Sequence, residues 1–186
     1  MILAGVDEVG RGSLAGPVVA AAVIMNNSIN IEGIRDSKDL SKNQRLVLEE
    51  KIKDLSTCWN IAWASVEEID NINILQASLL AMKRAVEGLK VVPTRVFCDG
   101  PYLPEISIKG EAIIGGDKKI ESIMSASILA KVERDRVMSK LNKDFPLYFF
   151  DKHKGYPTKS HKEALRLYGP CEQHRRSFKP VQQSLR

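Results

Sequence analysis

The sequence contains no uninterrupted apolar stretch long enough to cross a membrane. Its longest apolar run, residues 18–25, has the length of a strand, whereas a spanning helix needs about 20 apolar residues. No basic segment precedes an apolar one at the N-terminus, so the pattern of a signal peptide is missing as well. We therefore expect a cytoplasmic protein with neither a membrane span nor a signal peptide.

The chain is also poor in the residues that build disulfides and zinc sites. Its three cysteines, Cys58, Cys98 and Cys171, are scattered and form no C-x-x-C pair. An odd number of widely spaced cysteines argues against a disulfide or zinc framework and suits a reducing cytosol. With 186 residues, 44% of them hydrophobic, and no internal repeat, the sequence predicts one compact domain with a proper core.

Positive charge is concentrated near the C-terminus. The net charge is +5, from 28 lysines and arginines against 23 acidic residues. From His153 onward, two acids oppose eight basic residues, which are Lys154, Lys159, Lys162, Arg166, Arg175, Arg176, Lys179 and Arg186. Such an asymmetry is typical of a surface that binds a polyanion. A solvated basic face without a ligand is the alternative explanation.

Hydrophobic periodicity predicts strands mixed with helices. The expected strands are 2–9, 18–25, 57–65 and 95–98, the first two joined as a hairpin by the Gly-rich segment 10–17. The expected helices are 41–55, 66–89, 122–141 and 158–168. Ser41 is a plausible N-cap, and Gly88 and Gly169 are stop signals. This order indicates an α/β or α+β domain around a mixed sheet.

Four acidic residues lie where predicted strands end or a helix begins: Asp7, Glu8, Asp99 and Asp117. In open α/β sheets, chemistry gathers where strands end and loops begin. Carboxylates that meet there from three segments would repel one another unless cations intervene. Oxygen ligands without a histidine or cysteine cluster favour Mg²⁺ or Mn²⁺ over zinc. Two such ions about 4 Å apart would activate a water and stabilise the leaving oxygen in phosphodiester hydrolysis.

Each acid also has a structural explanation. Asp99 and Gly100 form a common turn dipeptide, and an aspartate ahead of a helix, such as Asp117, is usually a cap. Asp7 and Glu8 are harder to explain in this way, because one of two adjacent strand residues should face the core. Strict alternation would point their side chains apart, so both reach one site only if the strand ends or twists there.

The segment "GRGSLA" at residues 10–15 matches a G-x-G-x-x-A dinucleotide-binding fingerprint. We disfavour that interpretation, because a helix should follow, whereas Pro17 and the run "VVAAAVI" predict a strand. Two carboxylates directly upstream would also repel a pyrophosphate. The turn could instead bring its bare backbone and Arg11 close to a sugar-phosphate, or it could be a structural hairpin turn alone.

Six motifs, in order, resemble the bacterial ribonuclease HII family, the type 2 ribonucleases H. They are "AGVDEVGRGSLAGPVVAAAVI", "DSKDLS", "CDG", "GGDKKIESIMSASILAKVERDR", "HKGYPTKSH" and "GPCEQHRRSF". The match covers about residues 3–181. The resemblance implies an α/β ribonuclease H-like fold with a mixed central sheet flanked by helices, plus a small helical C-terminal region. We expect a catalytic domain at 1–150 and a basic C-terminal segment at 151–186 that packs on it and contributes substrate contacts.

The resemblance also implies an activity. The family's enzymes are endoribonucleases that hydrolyse the RNA strand of RNA–DNA hybrids and incise on the 5′ side of single ribonucleotides embedded in duplex DNA. The implied products have 3′-hydroxyl and 5′-phosphate ends. The implied cofactor is Mn²⁺ or Mg²⁺, with one ion bound without substrate and two with it. The implied partners are RNA–DNA hybrids and ribonucleotide-containing DNA duplexes, and we expect a monomer without membrane contact.

The resemblance assigns roles by motif. The family's catalytic metal-binding acids correspond to Asp7, Glu8, Asp99 and Asp117. The family's contacts to the ribonucleotide around its 2′-hydroxyl correspond to Gly10, Arg11 and Gly12, and its tyrosine at the RNA–DNA junction to Tyr156. The 2′-hydroxyl is the group that distinguishes RNA from DNA locally, and stacking on the following deoxyribose would reject a second one.

Several other positions bear on the site. Candidate phosphate or scaffold residues are Lys38, Lys131, Arg175 and Arg176, and we expect structural pairs from Arg134 and Asp135. Three residues depart from the family's usual pattern, namely Ser13, Asp39 and Pro101. None of the three removes a catalytic group, although the acid at Asp39 puts one phosphate contact in doubt.

Three alternatives remain at this point. A different metal nuclease on the same fold would cut an all-DNA duplex. A non-catalytic hybrid-binding module would bind through the basic C-terminal segment, with steep salt dependence and no turnover. A dinucleotide-binding enzyme would be stabilised against heat by nucleotides.

Overall fold

The computed structural model describes residues 1–26 and 28–185, so Arg186 of the basic C-terminal segment lies outside the described residues. Within those ranges, five strands form one mixed sheet in the order β3-β2-β1-β4-β5. They are β1 (Leu3–Val9), β2 (Val18–Ile24), β3 (Cys58–Ala64), β4 (Arg95–Asp99) and β5 (Gly110–Ile113). The first three pair antiparallel, and β1 with β4 and β4 with β5 pair parallel. The predicted α/β class with a mixed sheet is confirmed.

The helices flank this sheet. They are α1 (Lys42–Leu55), α2 (Val66–Glu87), α3 (Glu121–Asp144), α4 (Phe150–His153), α5 (Lys159–Tyr168) and α6 (Lys179–Gln183). Side chains cap three of them as N-caps, namely Ser41, Ser65 and Thr158, because a side-chain oxygen satisfies an otherwise unpaired backbone N–H. Among the described residues, no helix has the length and apolarity needed to cross a membrane.

The strand that follows the Gly-rich loop decides against a dinucleotide fold. The loop 10–17 leads into β2, which pairs antiparallel with β1, rather than into a helix. The predicted hairpin is therefore confirmed. Every residue of β2 is buried, because helices cover both faces of the sheet.

The sequence-based boundaries differ from the structure in a few places. Helix α3 extends three residues beyond the expected end at 141, and α2 bends at Asn73, whose φ of 68° lies in the left-handed region. The Asn73 side chain accepts a hydrogen bond from the backbone N–H of Gln76 at 3.1 Å and so caps the second half of the helix. Strand β5 was not predicted, because a four-residue edge strand with half-exposed residues has too little periodicity to register.

Alternation along β2 divides the core into two layers. Val18, Ala20 and Ala22 point into the layer under α2, which includes Ile69 and Ala81. The intervening residues point into the layer under α1 and α3, and that layer consists largely of Val19, Ala21, Val23, Ile52, Ile128 and Leu129. This two-sided burial holds β1, and with it the start of the loop 10–17, between α2 and α3.

The C-terminal segment packs against the loop 10–17. The backbone N–H of Leu14 donates to the carbonyl of Gly155 at 2.8 Å, and that of Arg175 donates back to the carbonyl of Leu14 at 2.8 Å. Ala15 and His174 form an isolated antiparallel bridge. Residues far apart in the chain therefore support one turn.

Gly5 provides a test of the packing of α3 on β1. A Cβ at this position would overlap the backbone of Ser122 and Ile123, and backbone on both sides leaves little room for relaxation. We expect Gly5→Ala to lower the free energy of unfolding by about 1–3 kcal/mol or more, measured by denaturant titration. Gly12→Ala is the matched control, because its Cβ would meet only Tyr156 at 3.9 Å. Equal stabilities of the two variants would contradict this packing.

Candidate active site

Three of the four predicted acids, Asp7, Glu8 and Asp99, lie near the C-terminal ends of the neighbouring strands β1 and β4. Strands β1 and β4 are parallel neighbours whose register pairs Val6 with Cys98, so Asp7 and Asp99 follow side by side where the strands end. The fourth, Asp117, lies in a 3-10 turn at residues 116–118, and its backbone N–H donates to Asp99 Oδ1 at 3.3 Å. The fold thus brings the strand-end carboxylates and Asp117 to the same place.

The side chains of Asp7 and Glu8 point to opposite faces of the sheet near the end of β1, as alternation along a strand requires. The Asp7 carboxylate is buried and accepts a hydrogen bond from the backbone N–H of Glu8 at 2.7 Å. Glu8 lines a small cleft together with Arg11, Asp99 and Tyr102. Asp99 is close enough that its charge acts on both Asp7 and Glu8, so the two sides remain electrostatically one site.

Burial and mutual repulsion raise the pKa values of this pair. Burial is the main cause of the raised pKa of Asp7, and the negative charges of Glu8 and Asp99 add to it. Burial also raises the pKa of Glu8 to about 7, although Arg11, whose guanidinium lies 3.5 Å from Glu8 Oε1, partly opposes the rise. Close carboxylates of this kind favour a bound cation, which would let both remain ionised.

Lys38 supplies a positive charge at Asp117. Its Nζ donates to Asp117 Oδ2 at 2.8 Å and lies 3.9 Å from Asp36 Oδ1. The hydrogen bond to Asp117 raises the pKa of Lys38. The turn that carries Lys38 is fixed by Asp36, whose carboxylate accepts from the Lys38 backbone N–H at 3.0 Å. The Lys38 side chain is 74% exposed, whereas that of Asp117 is buried, so the lysine can leave only when another cation takes its place at the carboxylate.

The donor set fits a hard divalent cation. Glu8 Oε2 is buried and has no hydrogen-bond partner among the described residues, although a buried carboxylate oxygen ordinarily has one. All four candidate ligands offer oxygen, the donor that Mg²⁺ and Mn²⁺ prefer. In residues 1–26 and 28–185, no three His, Cys, Asp or Glu side chains are already arranged as a metal-binding group, and Asp117 is engaged by Lys38.

Two buried arginines hold the loop 10–17, and one of them, Arg175, holds its Gly-Arg-Gly turn. Arg175 donates to the carbonyls of Gly10, Arg11 and Gly16 at 2.7, 2.9 and 3.0 Å. Gly10 has a φ of 100°, a conformation that L side chains rarely adopt. The backbone of the turn is therefore held by the guanidinium of Arg175, which is 0% exposed.

Arg134 braces the other end of the same loop. It donates to the carbonyls of Ala15, Pro17 and Lys154 at 2.9 to 3.1 Å. Arg134 and Asp135 both have structural partners, but they do not pair with each other, since Asp135 accepts from Lys131 at 2.7 Å. Positions 126, 130, 134 and 138 of α3 are buried and lie four residues apart. A charged residue within this apolar series is the sequence signal that could have identified Arg134 as a buried structural residue.

Tyr156 faces the turn. A Cβ on Gly12 would lie 3.9 Å from Tyr156 Cε1, and the Tyr156 ring lies 5.6 Å from Arg134 Cζ. The structure therefore brings together the sequence-predicted turn and the predicted tyrosine, which are separated by more than 140 positions in the chain. Arg176, by contrast, is tied to Asp70 through its backbone N–H at 2.9 Å.

Comparison with known proteins decides the family. Residues 4–181 match the family model described as Ribonuclease HII. A curated Ribonuclease HII from Burkholderia mallei (strain SAVP1) is 55% identical over 183 residues, which are 98% of this chain and 86% of the relative. The chain belongs to the ribonuclease HII family. It is a type 2 ribonuclease H, a hydrolase of a family that depends on divalent metal ions and cleaves RNA endonucleolytically in RNA–DNA hybrids.

Solved structures agree on the fold of this ribonuclease HII chain. The ribonuclease H2 of Pyrococcus horikoshii OT3 superposes with a TM-score of 0.80 at 27% identity, covering 99% of this chain and 97% of that one. The structure of Bst-RNase HIII in complex with Mn²⁺ also has a TM-score of 0.80, at 17% identity, covering 100% of this chain and 69% of that one. The predicted ribonuclease H-like fold is confirmed.

A chain of buried imidazoles supports Tyr156 in this ribonuclease HII fold. His161 Nδ1 donates to the Tyr156 carbonyl at 3.0 Å, and His161 Nε2 lies 3.0 Å from His174 Nε2. The backbone N–H of Cys171 donates to His174 Nδ1 at 3.0 Å. Because a carbonyl can only accept, His161 carries its proton on Nδ1 and leaves its Nε2 as an acceptor. His174 therefore carries its proton on Nε2, which donates to His161 Nε2. Lone histidines in the sequence carried no signal of this network.

The network predicts a pH-dependent stability difference. Burial lowers the pKa of His161 to about 4 and that of His174 to about 3, from 6.5. Both are therefore neutral when folded, and their contribution to stability is lost as pH falls from about 6.5 toward these values. We expect His174→Gln to lower the free energy of unfolding by about 1–3 kcal/mol at neutral pH. Below pH 6.5 this deficit should shrink by up to about 1.4 kcal/mol per pH unit.

Tyr148→Phe is the control for this measurement. Tyr148 packs against His174 with ring centroids 4.7 Å apart, and its hydroxyl donates to the Gly169 carbonyl at 2.8 Å. Its deficit should not change between pH 5 and 8, since burial raises the pKa of Tyr148 above 10. Asp7 and Glu8 titrate identically in all three proteins and cancel in the differences. A constant His174→Gln deficit would show that the imidazole is not held neutral.

Proposed function

We propose that this ribonuclease HII chain incises duplex DNA on the 5′ side of single embedded ribonucleotides, in addition to cleaving RNA in hybrids, and leaves 3′-hydroxyl and 5′-phosphate ends. One observation carries the proposal. The candidate catalytic carboxylates Asp7 and Glu8 and the turn Gly10–Gly12 lie on one continuous bend, with Tyr156 facing it. A phosphate at the acids would therefore have its neighbouring sugar at the turn.

The four acids are proposed to act together as the metal-binding catalytic group. Asp7, Glu8, Asp99 and Asp117 would hold the divalent ions, Mn²⁺ or Mg²⁺, with one ion before substrate and two with it. When bound, such ions polarise a water and neutralise charge on the phosphate. The unpartnered Glu8 Oε2 supports this role, and so do the burial and the repulsion from Glu8 that raise the pKa of Asp7. Asp7 and Glu8 point to opposite faces of the sheet, and this separation would let the acids flank the phosphate.

Lys38 is proposed to exchange partners during binding. Its ammonium neutralises Asp117 before substrate arrives, at 2.8 Å. When cations and substrate enter, the exposed lysine would turn to a phosphate oxygen of the cleaved strand. This exchange keeps the site from accumulating negative charge in either state.

The turn Gly10–Gly12 is proposed to read the ribose. The carbonyls of Gly10 and Arg11 are committed to Arg175. The outward side of the turn and the Arg11 side chain therefore remain to contact the sugar and phosphate. Gly12 leaves the space in front of Tyr156 open. The tyrosine ring would stack on the following deoxyribose, where a second 2′-hydroxyl would clash.

We also propose that the C-terminal segment 151–186 belongs to the same functional unit as the catalytic domain at residues 1–150. Tyr156 and the buried Arg175 come from that segment, and both contact the loop 10–17. Each half would therefore be inactive alone. One chain contains all the proposed site residues, so we propose that a monomer is sufficient.

The proposal is tested with an end-labelled DNA duplex that carries one ribonucleotide, beside an all-DNA duplex, in Mg²⁺, Mn²⁺ or EDTA. We expect metal-dependent incision on the 5′ side of the ribonucleotide only. Asp117→Asn should reduce kcat at least about 100-fold, because it removes one charged group from a metal-binding unit. Asp54→Asn is the matched control at an exposed position in α1 and should keep full activity.

The other outcomes distinguish the alternatives. Cutting of both duplexes would keep the catalytic role of the acids but contradict ribose reading by the turn and Tyr156. Binding without incision under every metal would indicate a non-catalytic module. Full activity of Asp117→Asn would remove Asp117 from the catalytic group.

Tyr156 provides a separate test of substrate choice. Loss of aromatic stacking on a nucleotide costs about 1–3 kcal/mol, so we expect Tyr156→Ala to lower kcat/KM for the single-ribonucleotide duplex by about 10- to 100-fold. Cleavage within a long RNA–DNA hybrid should fall less, because the junction is absent there. Tyr156→Phe should retain activity, and Tyr168→Ala, an exposed tyrosine of α5, is the control. Equal losses on both substrates would contradict a junction role.

A further inference from the structure

A basic groove lies between α1 and α3, away from the four acids. Its volume is about 470 Å³. Leu46 and Val132 contribute an apolar floor, and the cationic side chains that line it are Lys42, Arg45, Arg136, Lys140, Lys143 and Lys154. The acidic lining residue is Asp135. The groove is thus strongly positive and open to solvent along one side.

The positive charge of the groove is not balanced internally. Asp135 is engaged by Lys131 at 2.7 Å and by Arg45 at 3.8 Å, and Arg136 donates to Glu49 at 2.6 Å. Among residues 1–26 and 28–185, the remaining cations, Lys42, Lys140, Lys143 and Lys154, have no carboxylate within 4 Å. Burial lowers the pKa of Lys154, although the negative charge of Asp135 partly opposes this shift. A cluster of lysines without carboxylate partners, beside one lining acid that is itself already paired, favours an anionic ligand.

The groove continues the candidate active site on two sides. Lys154 precedes Tyr156 by two residues, and its carbonyl accepts from Arg134, the arginine that braces the loop 10–17. On the other side, Lys42 begins the helix that follows the Lys38 turn. A duplex whose ribonucleotide lies at Tyr156 would therefore pass close to the groove.

The spacing of the cations suits a nucleic acid strand. Arg136, Lys140 and Lys143 recur at intervals of four and three on α3 and so share one helix face. Arg136 is already paired with Glu49. The two lysines without a carboxylate partner, Lys140 and Lys143, lie about 5 Å apart along the helix axis, which corresponds to about one phosphate step along one strand of a duplex. Lysine ammonium groups on flexible stems act as point charges that tolerate any base sequence.

We propose that this groove binds the phosphodiester backbone of the substrate duplex beyond the point of incision. The inference rests on the proposed function. A backbone is favoured over a small anion because the cations are spread along an open helix face rather than converging on one buried point. The groove would add affinity without reading sequence, since phosphate contacts position a duplex and base contacts specify it.

The test uses the double variant Lys140→Gln/Lys143→Gln in the full chain. Both lysines are exposed, so folding should be unaffected. Binding of the single-ribonucleotide duplex is measured in EDTA by fluorescence anisotropy across a salt series. Loss of two phosphate contacts should reduce the slope of log affinity against log salt by about 2. The deficit relative to the unmodified chain should narrow about tenfold between about 50 and about 200 mM salt. In metal, KM should rise and kcat should stay unchanged.

Lys51→Gln/Lys90→Gln is the matched control, because it removes the same charge from exposed positions outside the groove. An unchanged salt slope for the groove variant would overturn the proposal and leave the groove to another kind of partner, such as an acidic protein. An equal loss in the control would also overturn it, as a net-charge effect. If the unmodified chain fails to incise the ribonucleotide duplex, the proposed function is wrong. The binding series in EDTA measures affinity and not incision, so the two failures can be told apart.

Discussion

Two buried guanidinium groups organise the loop 10–17, which borders the candidate active site. Arg134 and Arg175 are 0% exposed, and neither faces a carboxylate in an ion pair among the described residues. Each is satisfied by three backbone carbonyls, most of them in the loop 10–17. A buried charge without such partners would be very costly, so the loop and the C-terminal segment are held in one arrangement. The positive charge beneath the turn also favours an approaching phosphate.

The opposite charge accumulates a few residues away. Burial disfavours the charged forms of Asp7 and Glu8 at the end of β1, and repulsion from the negative charge of Asp99 adds to that cost. The folded chain tolerates this arrangement because Lys38 and Arg11 offset part of the charge, and because helices on both faces of the sheet hold β1 in place. Strain of this kind at a strand end is typical of a site whose ligands relieve it. The structural framework and the reactive group thus meet at the bend after Val9.

Charge of both signs is therefore arranged by distance from the cleavage point. Negative groups lie at the edge of the sheet, where cations would be bound. Positive groups lie under the turn and along α1 and α3, where a backbone would run. In the proposed function, this division would assign chemistry, ribose recognition and general affinity to different residues, so that affinity could change without altering the catalytic acids.

The sequence by itself determined the class of fold, most of the helices and strands, and the family. Periodicity and caps such as Ser41 are local properties, and two strands separated by a segment that runs from Gly10 to Pro17 can be identified from their neighbours alone. The short edge strand β5 had too few residues for periodicity to act on. Only the tertiary structure decided the partners of Arg134 and the facing of Gly12 and Tyr156. The contacts of Arg134 with Ala15 and Pro17, and that of Gly12 with Tyr156, join residues more than 100 positions apart, and the closure of long loops, rather than local propensity, brings such residues together.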